Sequence, residues 1–226
     1  YAIVPFGRDR VLMIVCDGMG GAKSGNVASS LAVEGFTDEV RRTQKAGMSP
    51  EKASAMLRSA LELANRAVFE QSQLSEDFTG MGTTLVAAWL NRDLAVIINV
   101  GDSRAYHISK RANSIYQITR DHSLVEELVE AGAITKEQAR LHPQKNVITR
   151  ALGSGAEGRP DYFEFTLQPG DILLLCSDGL SNMVTDLEML EYAKEYQDPE
   201  LICRALMSKA LIRGARDNVT VVAVMR

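Results

Sequence analysis

The stretch VLMIVCDGMGG, residues 11–21, decides how this chain is read. Val11 to Cys16 are all apolar and run straight into Asp17, with Gly18, Gly20 and Gly21 close behind. A short apolar run bounded by glycines reads as a buried strand. The strand gives a rigid mount, the acid gives charge, and glycines leave room beside it.

The pattern recurs. ILLLCSDGL, residues 172–180, again drives an apolar run into an acid and a glycine, Asp178-Gly179. Asp217 and Asn218 stand at the start of the closing run VTVVAVM, and Asp102 interrupts another run in NVGDSRAY. In an antiparallel sheet the end of one strand lies beside the start of its neighbour. Asp17, Asp178 and Asp217 are therefore expected at one rim, with Asp102 near them. Carboxylates crowded there repel one another, and a hard divalent cation relieves them; Mg²⁺ and Mn²⁺ take oxygen ligands and keep waters. Any one Asp-Gly after a strand reads equally as a turn. Spacing alone leaves turn and metal site both open.

The chain between these acids has a clear rhythm. Ala28, Leu31, Ala32, Gly35 and Phe36 recur at helical spacing up to Gly47, and Ser49-Pro50 opens a second helix with its apolar face on Ala53, Leu57, Ala60, Leu61 and Ala64. GTTLVAAWL and LAVIINVG read as strands joined by the turn Asn91-Arg92-Asp93, and SRAYHIS and SIYQIT follow them. Residues 121–150 break the strand pattern with two short helices, the second capped by Thr135 and Gln138, so they read as an inserted flap. YFEFTL and DILLLCS are strands, helices start at Thr185 and at Asp198-Pro199, and the last strand closes the chain. Strands in runs and helices in pairs give an α+β fold: two packed, mainly antiparallel sheets flanked by helices.

Composition narrows the function classes. The 226 residues are 46% hydrophobic and 24% charged, the balance of a soluble globular chain. A formal net charge of −4 argues against nucleic-acid binding and against anionic membranes. Apolar runs fall short of a membrane span, and the start of the chain carries no secretory pattern. Three sparse cysteines, Cys16, Cys176 and Cys203, suit a reducing compartment, so a cytoplasmic protein is expected. Three scattered histidines make no zinc site, and no nucleophile elbow or Walker loop is present.

Seven motifs occur in order: DGMGG, GTTLV, NVGDSRAY, TRDHSLV, ITRALG, LLLCSDGL and DNVTVV. Together they span nearly the whole chain. The sequence resembles the bacterial branch of the metal-dependent type 2C serine/threonine protein phosphatases. That resemblance implies a single phosphatase domain over residues 1–226 with an α-β-β-α sandwich. It implies two Mn²⁺ or Mg²⁺ ions, with Asp17 bridging them, the Gly18 carbonyl on one, and Asp178 and Asp217 on the other. Asp102 with Asp178 matches a weaker third site. Asp17, Asp178 and Asp217 would act through the ions and water: a hydroxide between the two ions would attack the phosphorus of phosphoserine or phosphothreonine directly. Ser123 and Arg150 would border the substrate cleft in the flap, and the substrates would be phosphoproteins, among them a bacterial serine/threonine kinase.

Two departures accompany the resemblance. The family's Arg-x-x-Asn-Glu-Asp stretch would lie just upstream of Tyr1, so the phosphate-binding arginine is expected there and the family's first strand is expected to be missing. A catalytically impaired binding or regulatory module is the alternative that this raises, with an exposed, association-prone strand edge as its corollary. Ala22 also stands where many relatives have histidine, and Met19 where animal relatives have a candidate acid.

Overall fold

The computed structural model describes residues 1–155, 157–215 and 217–226, with Ala22 by its backbone only. The chain opens with β1 (Ala2–Pro5), β2 (Arg10–Val15) and the two-residue β3 (Gly18–Met19). Two long helices follow, α1 (Ala22–Thr43) and α2 (Pro50–Ser72). Next come β4 (Gly82–Thr83), β5 (Leu85–Asn91), β6 (Leu94–Val100), β7 (Arg104–Ser109) and β8 (Ser114–Gln117). The short helices α3 (Leu124–Glu130) and α4 (Lys136–Leu141) precede β9 (Asp161–Thr166) and β10 (Ile172–Cys176). The remaining elements are α5 (Asp178–Ser181), α6 (Asp186–Glu195), α7 (Pro199–Ile212) and β11 (Val221–Met225).

These make an antiparallel five-stranded sheet, ordered β1-β2-β5-β6-β9, and a four-stranded one, β11-β10-β7-β8. The alternation along each strand explains the layers. On β2, Met13 and Val15 turn inward and meet Leu173, Leu175, Ala105 and Val222 of the other sheet. Leu12 and Ile14 turn outward and pack under Phe36, Leu57 and Leu61 of α1 and α2. On β10, Leu174 and Cys176 turn outward onto Met189, Ile202 and Leu206 of α6 and α7. Antiparallel sheets usually leave one face wet and alternate polar with apolar. Here helices cover both outer faces, so the central strands β2, β5, β6 and β10 read as nearly unbroken apolar runs.

Local chemistry sets the helix starts. The Ser49 hydroxyl accepts from the Lys52 N–H, and Pro50 occupies the first turn of α2. Thr185 with Glu188 and Thr135 with Gln138 close full capping boxes. Asn65, buried on α2, accepts from Gly153 N–H at 2.8 Å and donates to the Gly155 carbonyl at 3.0 Å, fastening that loop to the helix.

Three details differ from the sequence reading. Ala2–Pro5 forms a strand that its short, Pro-ended composition hid. It pairs along β2, so β2 lies inside its sheet, and the rims are β1, β9, β11 and β8. GTTLVAAWL is two strands: Gly82 and Thr83 pair with Met19 and Gly18, then the chain steps at Thr84 into the main sheet. Asp178-Gly179 is the first turn of α5 rather than a bare turn, a position that favours an acid.

The layering predicts opposite outcomes for two substitutions. Leu174→Ala empties a fully buried site and is expected to cost about 2–5 kcal/mol in urea unfolding. Ile3→Lys, on an edge strand with Ile3 52% exposed, is expected to stay within about 0.5 kcal/mol.

Candidate metal centre

The acids come together at the rim where β2 and β10 end. Asp17 and Asp178 stand within hydrogen-bond reach of each other, and Asp17 feels the charges of Asp217 and Asp102 as well. Burial, then the neighbouring Asp178, Asp217 and Asp102, pushes the Asp17 carboxyl up to about 7. Burial and Asp178 raise Asp102 to about 7 too, while burial and Asp217 raise Asp178. The elevation is the signature of buried, crowded carboxylates, which the nearby Arg104 offsets only in part at Asp102 and Asp178.

The backbone holds Asp17 there. Its N–H donates to Thr84 Oγ1 at 2.9 Å. Its carbonyl accepts from Thr84 N–H at 2.8 Å and from the Thr83 hydroxyl at 2.9 Å. Thr84 Oγ1 also lies 2.7 Å from Ser103 Oγ, next to Asp102. One threonine thus ties two acid-bearing loops. Gly101 precedes Asp102 with φ +105°, and a Cβ there would sit 2.6 Å from Thr84 Cγ2. The glycine serves both the left-handed backbone and the close approach.

Gly18 answers the question its motif poses differently from the sequence reading. A Cβ on Gly18 would lie 1.9 Å from the Gly25 carbonyl oxygen, and one on Gly25 2.6 Å from that of Gly18. The glycine is required because α1 packs its first turn directly on this backbone, with no side chain between them.

Asp178 and Asp217 are joined by a similar clamp. The Ser177 hydroxyl accepts from Thr220 N–H at 3.1 Å and donates to the Asn218 carbonyl at 3.3 Å. A Cβ on Gly179 would meet that same carbonyl at 2.2 Å. Asn182 donates to Asp178 Oδ2 at 3.1 Å, and the Asn218 N–H donates to Asp217 Oδ1 at 2.7 Å.

Ser123 and Arg150, the two residues expected at the substrate cleft, are seen through their local contacts. Ser123 is 2% exposed, and its hydroxyl accepts from Glu126 N–H as the cap of α3. Arg150 is partly exposed and donates to Asp161 Oδ1 at 3.1 Å. Arg104 grips Asp121 through Nε and Nη2, and Arg120 pairs with Glu130. His122, which the sequence did not single out, sits between these parts. Gly101 N–H donates to its Nδ1 at 3.1 Å, so its proton is on Nε2, 3.2 Å from Asp161 Oδ2. Burial holds its pKa below the usual value, consistent with a neutral ring. Thr83, Thr84, Ser103 and Ser177 were also missed as positioning residues. Their only sequence signal was adjacency to the aspartates within the quoted motifs.

Among the described residues, no three His, Cys, Asp or Glu side chains close a compact cage around one point. A tetrahedral structural site needs such a cage. A small hard cation does not: it is commonly held by one or two carboxylates and keeps its waters. The donor set here, carboxylates with neither thiolate nor imidazole among them, fits that second kind of ion.

The protein phosphatase 2C family model matches residues 3–211. This chain belongs to the protein phosphatase 2C family. It is 41% identical over 215 residues to the serine/threonine phosphatase stp of Listeria monocytogenes, covering 95% of this chain and 84% of that one. It is 37% identical over 215 residues to protein phosphatase PhpP of Streptococcus pneumoniae, covering 95% and 85%. The solved structure of serine/threonine phosphatase Stp1 from Staphylococcus aureus superposes with a TM-score of 0.91 at 37% identity, over 100% of this chain and 87% of that one. The catalytic domain of the phosphatase PstP, solved in complex with 2 manganese ions, gives 0.81 at 34% identity, over 98% and 89%. Membership of the phosphatase 2C family makes the four aspartates the first place to look for its metal chemistry.

The sign of the Asp17 shift gives a prediction for the phosphatase stripped by chelator. Its folded pKa, about 7, lies above the ordinary 3.8, so the folded protein binds the extra proton between those values. Stability from this group is therefore present at acid pH and lost as pH rises towards 7. Asp17→Asn is expected to raise the Tm of chelated protein at pH 8 and to change it little at pH 4, by differential scanning calorimetry.

Proposed function

We propose that this phosphatase 2C chain hydrolyses phosphoserine and phosphothreonine in proteins, opposing the serine/threonine kinase that installs them. The observation that carries the reading is the convergence of Asp17, Asp102 and Asp178 at one rim, each pushed up by burial and by a neighbouring acid, with the Asp217 charge beside them. Such a site is costly to keep unless a cation uses it.

Asp17, Asp178 and Asp217, with the Gly18 carbonyl, are the residues that would hold two divalent ions, Mn²⁺ or Mg²⁺, and Asp102 with Asp178 a weaker third. When bound, such ions supply Lewis acidity towards phosphoryl oxygens. The chain's own contribution is placement. Thr83 and Thr84 fix the Asp17 backbone from two sides, and Ser177 locks the Asp178 turn to the Asn218 strand entry. Rigid mounting matters because electrostatic stabilisation works without reorganisation at the moment of reaction. No nucleophilic side chain is needed, which agrees with the absence of an elbow motif. We assign residues 1–226 to one catalytic unit, with residues 121–150 as a flap beside its substrate cleft. No helix among the described residues is long and apolar enough to cross a membrane, consistent with action on soluble phosphoproteins.

Turnover of a phosphothreonine peptide with Mn²⁺ tests the reading. Asp178→Asn is expected to lower kcat/KM on the order of 100-fold or more, and chelator to abolish turnover. Mn²⁺ should also raise the Tm of the chelated wild type and raise that of Asp178→Asn much less. Full turnover by Asp178→Asn, or turnover indifferent to chelator, overturns the assignment.

A further inference from the structure

The other end of the sandwich carries a second charged feature. A cavity of about 330 Å³ opens between the β1–β2 hairpin, the β5–β6 turn and the α1–α2 connection. Arg8, Arg10 and Arg92 line it, with one opposing carboxylate, Asp9. Among the described residues none of the three arginines forms an ion pair. Arg10 gives one hydrogen bond, to the neutral Gln44 carboxamide oxygen. Most other arginines whose charges are placed near the centre are spent: Arg104 on Asp121, Arg120 on Glu130 and Arg150 on Asp161. A chain of net charge −4 thus keeps three arginines outside any ion pair, among the described residues, around one hollow.

The hollow is built. Its floor is Phe6, set edge-on against the buried Trp89 with ring centroids 5.2 Å apart. Phe6 N–H donates to the Arg10 carbonyl at 2.8 Å and closes the hairpin, while Arg92 N–H donates to the Asp9 carbonyl at 2.7 Å and ties the second turn to the first. Arg92 has φ +59°, at the first residue of a two-residue hairpin turn. That position favours glycine or asparagine, and a long side chain there carries a backbone cost of about 1–2 kcal/mol. The residue that local turn chemistry disfavours is one of those that line the cavity.

The geometry points to a phosphate-binding site here, one that takes a second phosphorylated residue of the same substrate protein. Guanidiniums match phosphate oxygens two at a time, and several arginines with no carboxylate partner suit a dianion. Arg10 opens β2 and Asp17 follows its end, so the cavity and the metal centre lie roughly 20 Å apart at about 3.3 Å per strand residue. An extended segment needs at least about seven residues to bridge that distance along the surface. The inference rests on the phosphatase reading for its substrate, but the cavity's affinity for phosphate does not.

The test compares two peptides with wild type and the double variant Arg8→Ser/Arg92→Gly. Glycine suits the left-handed turn and Arg8 is exposed, so the variant is expected to fold with an unchanged or higher Tm. One peptide carries a single phosphothreonine, and the other adds a second about ten residues away. Wild type is expected to show a KM about tenfold lower for the doubly phosphorylated peptide, equivalent to about 1.4 kcal/mol. The variant should lose that advantage while keeping kcat and the KM of the singly phosphorylated peptide. Equal KM values for both peptides in wild type, or an advantage that survives in the variant, overturn the proposal. Calorimetric titration of chelated protein with inorganic phosphate separates the sources. Binding that the variant abolishes, without any peptide-dependent KM difference, would make the cavity a free-phosphate site and overturn the substrate assignment. If neither peptide turns over, the phosphatase reading fails, and titrating the chelated protein with the two peptides still decides the cavity.

Discussion

The constraint on which the rest of the structure depends is electrostatic. Asp17 and Asp178 stand within hydrogen-bond reach of each other, with Asp102 and Asp217 near enough for their charges to act. Like charges placed so closely raise one another's proton affinity and resist being brought together. Something stronger must hold their backbones. That role falls to a few well-made hydrogen bonds, Thr83 and Thr84 on Asp17 and Ser177 on Thr220 and Asn218. Close backbone contacts add to them, Gly18 on Gly25 and Gly179 on Asn218. A hard cation, as proposed above, would offset the repulsion that remains.

The platform under this rim is stiff for a simple reason. The central strands of both sheets bury both faces, and three apolar clusters fill the helix–sheet–sheet–helix stack. Interiors packed to that extent do not deform gradually. The loops at the rim inherit the rigidity through cross-links, Thr84 to Ser103 and Gly101 to His122. His122 continues the chain of contacts to Asp161, and Asp161 to Arg150. The acids, their neighbouring loops and the chain at Arg150 are joined by one run of contacts.

Charge is also distributed along the sandwich in a way that the net value conceals. Carboxylates crowd the rim where β2 and β10 end, while Arg8, Arg10 and Arg92 gather at the opposite end of β2. The strand that delivers Asp17 begins at one of those arginines. A phosphorylated chain lying along the molecule meets cation-seeking acids at one end and guanidiniums at the other.

Much of this was legible in the chain itself. Apolar runs ending in Asp17 and Asp178 announced strand ends bearing charge, and helix caps such as Ser49-Pro50 and Thr185 fall where their side chains predict, because capping is a local matter of one oxygen and one or two N–H groups. The strand at Ala2–Pro5 was not legible, since four residues ending in proline carry no periodicity; it exists because β2 offers it an edge. The break of GTTLVAAWL at Thr84 and the burial of Ser123 were not legible either. The first depends on partners 66 or 67 residues away, and the second on the chain at Ile148 that bridges to Ser123. The sequence by itself determined which groups carry charge and which faces are apolar, because those are properties of single side chains and their spacing. Tertiary structure alone decided which acids become neighbours, why Gly18 must lack a side chain, and which arginines stay outside the ion pairs among the described residues, because each of these is set by the distance between residues remote in the chain.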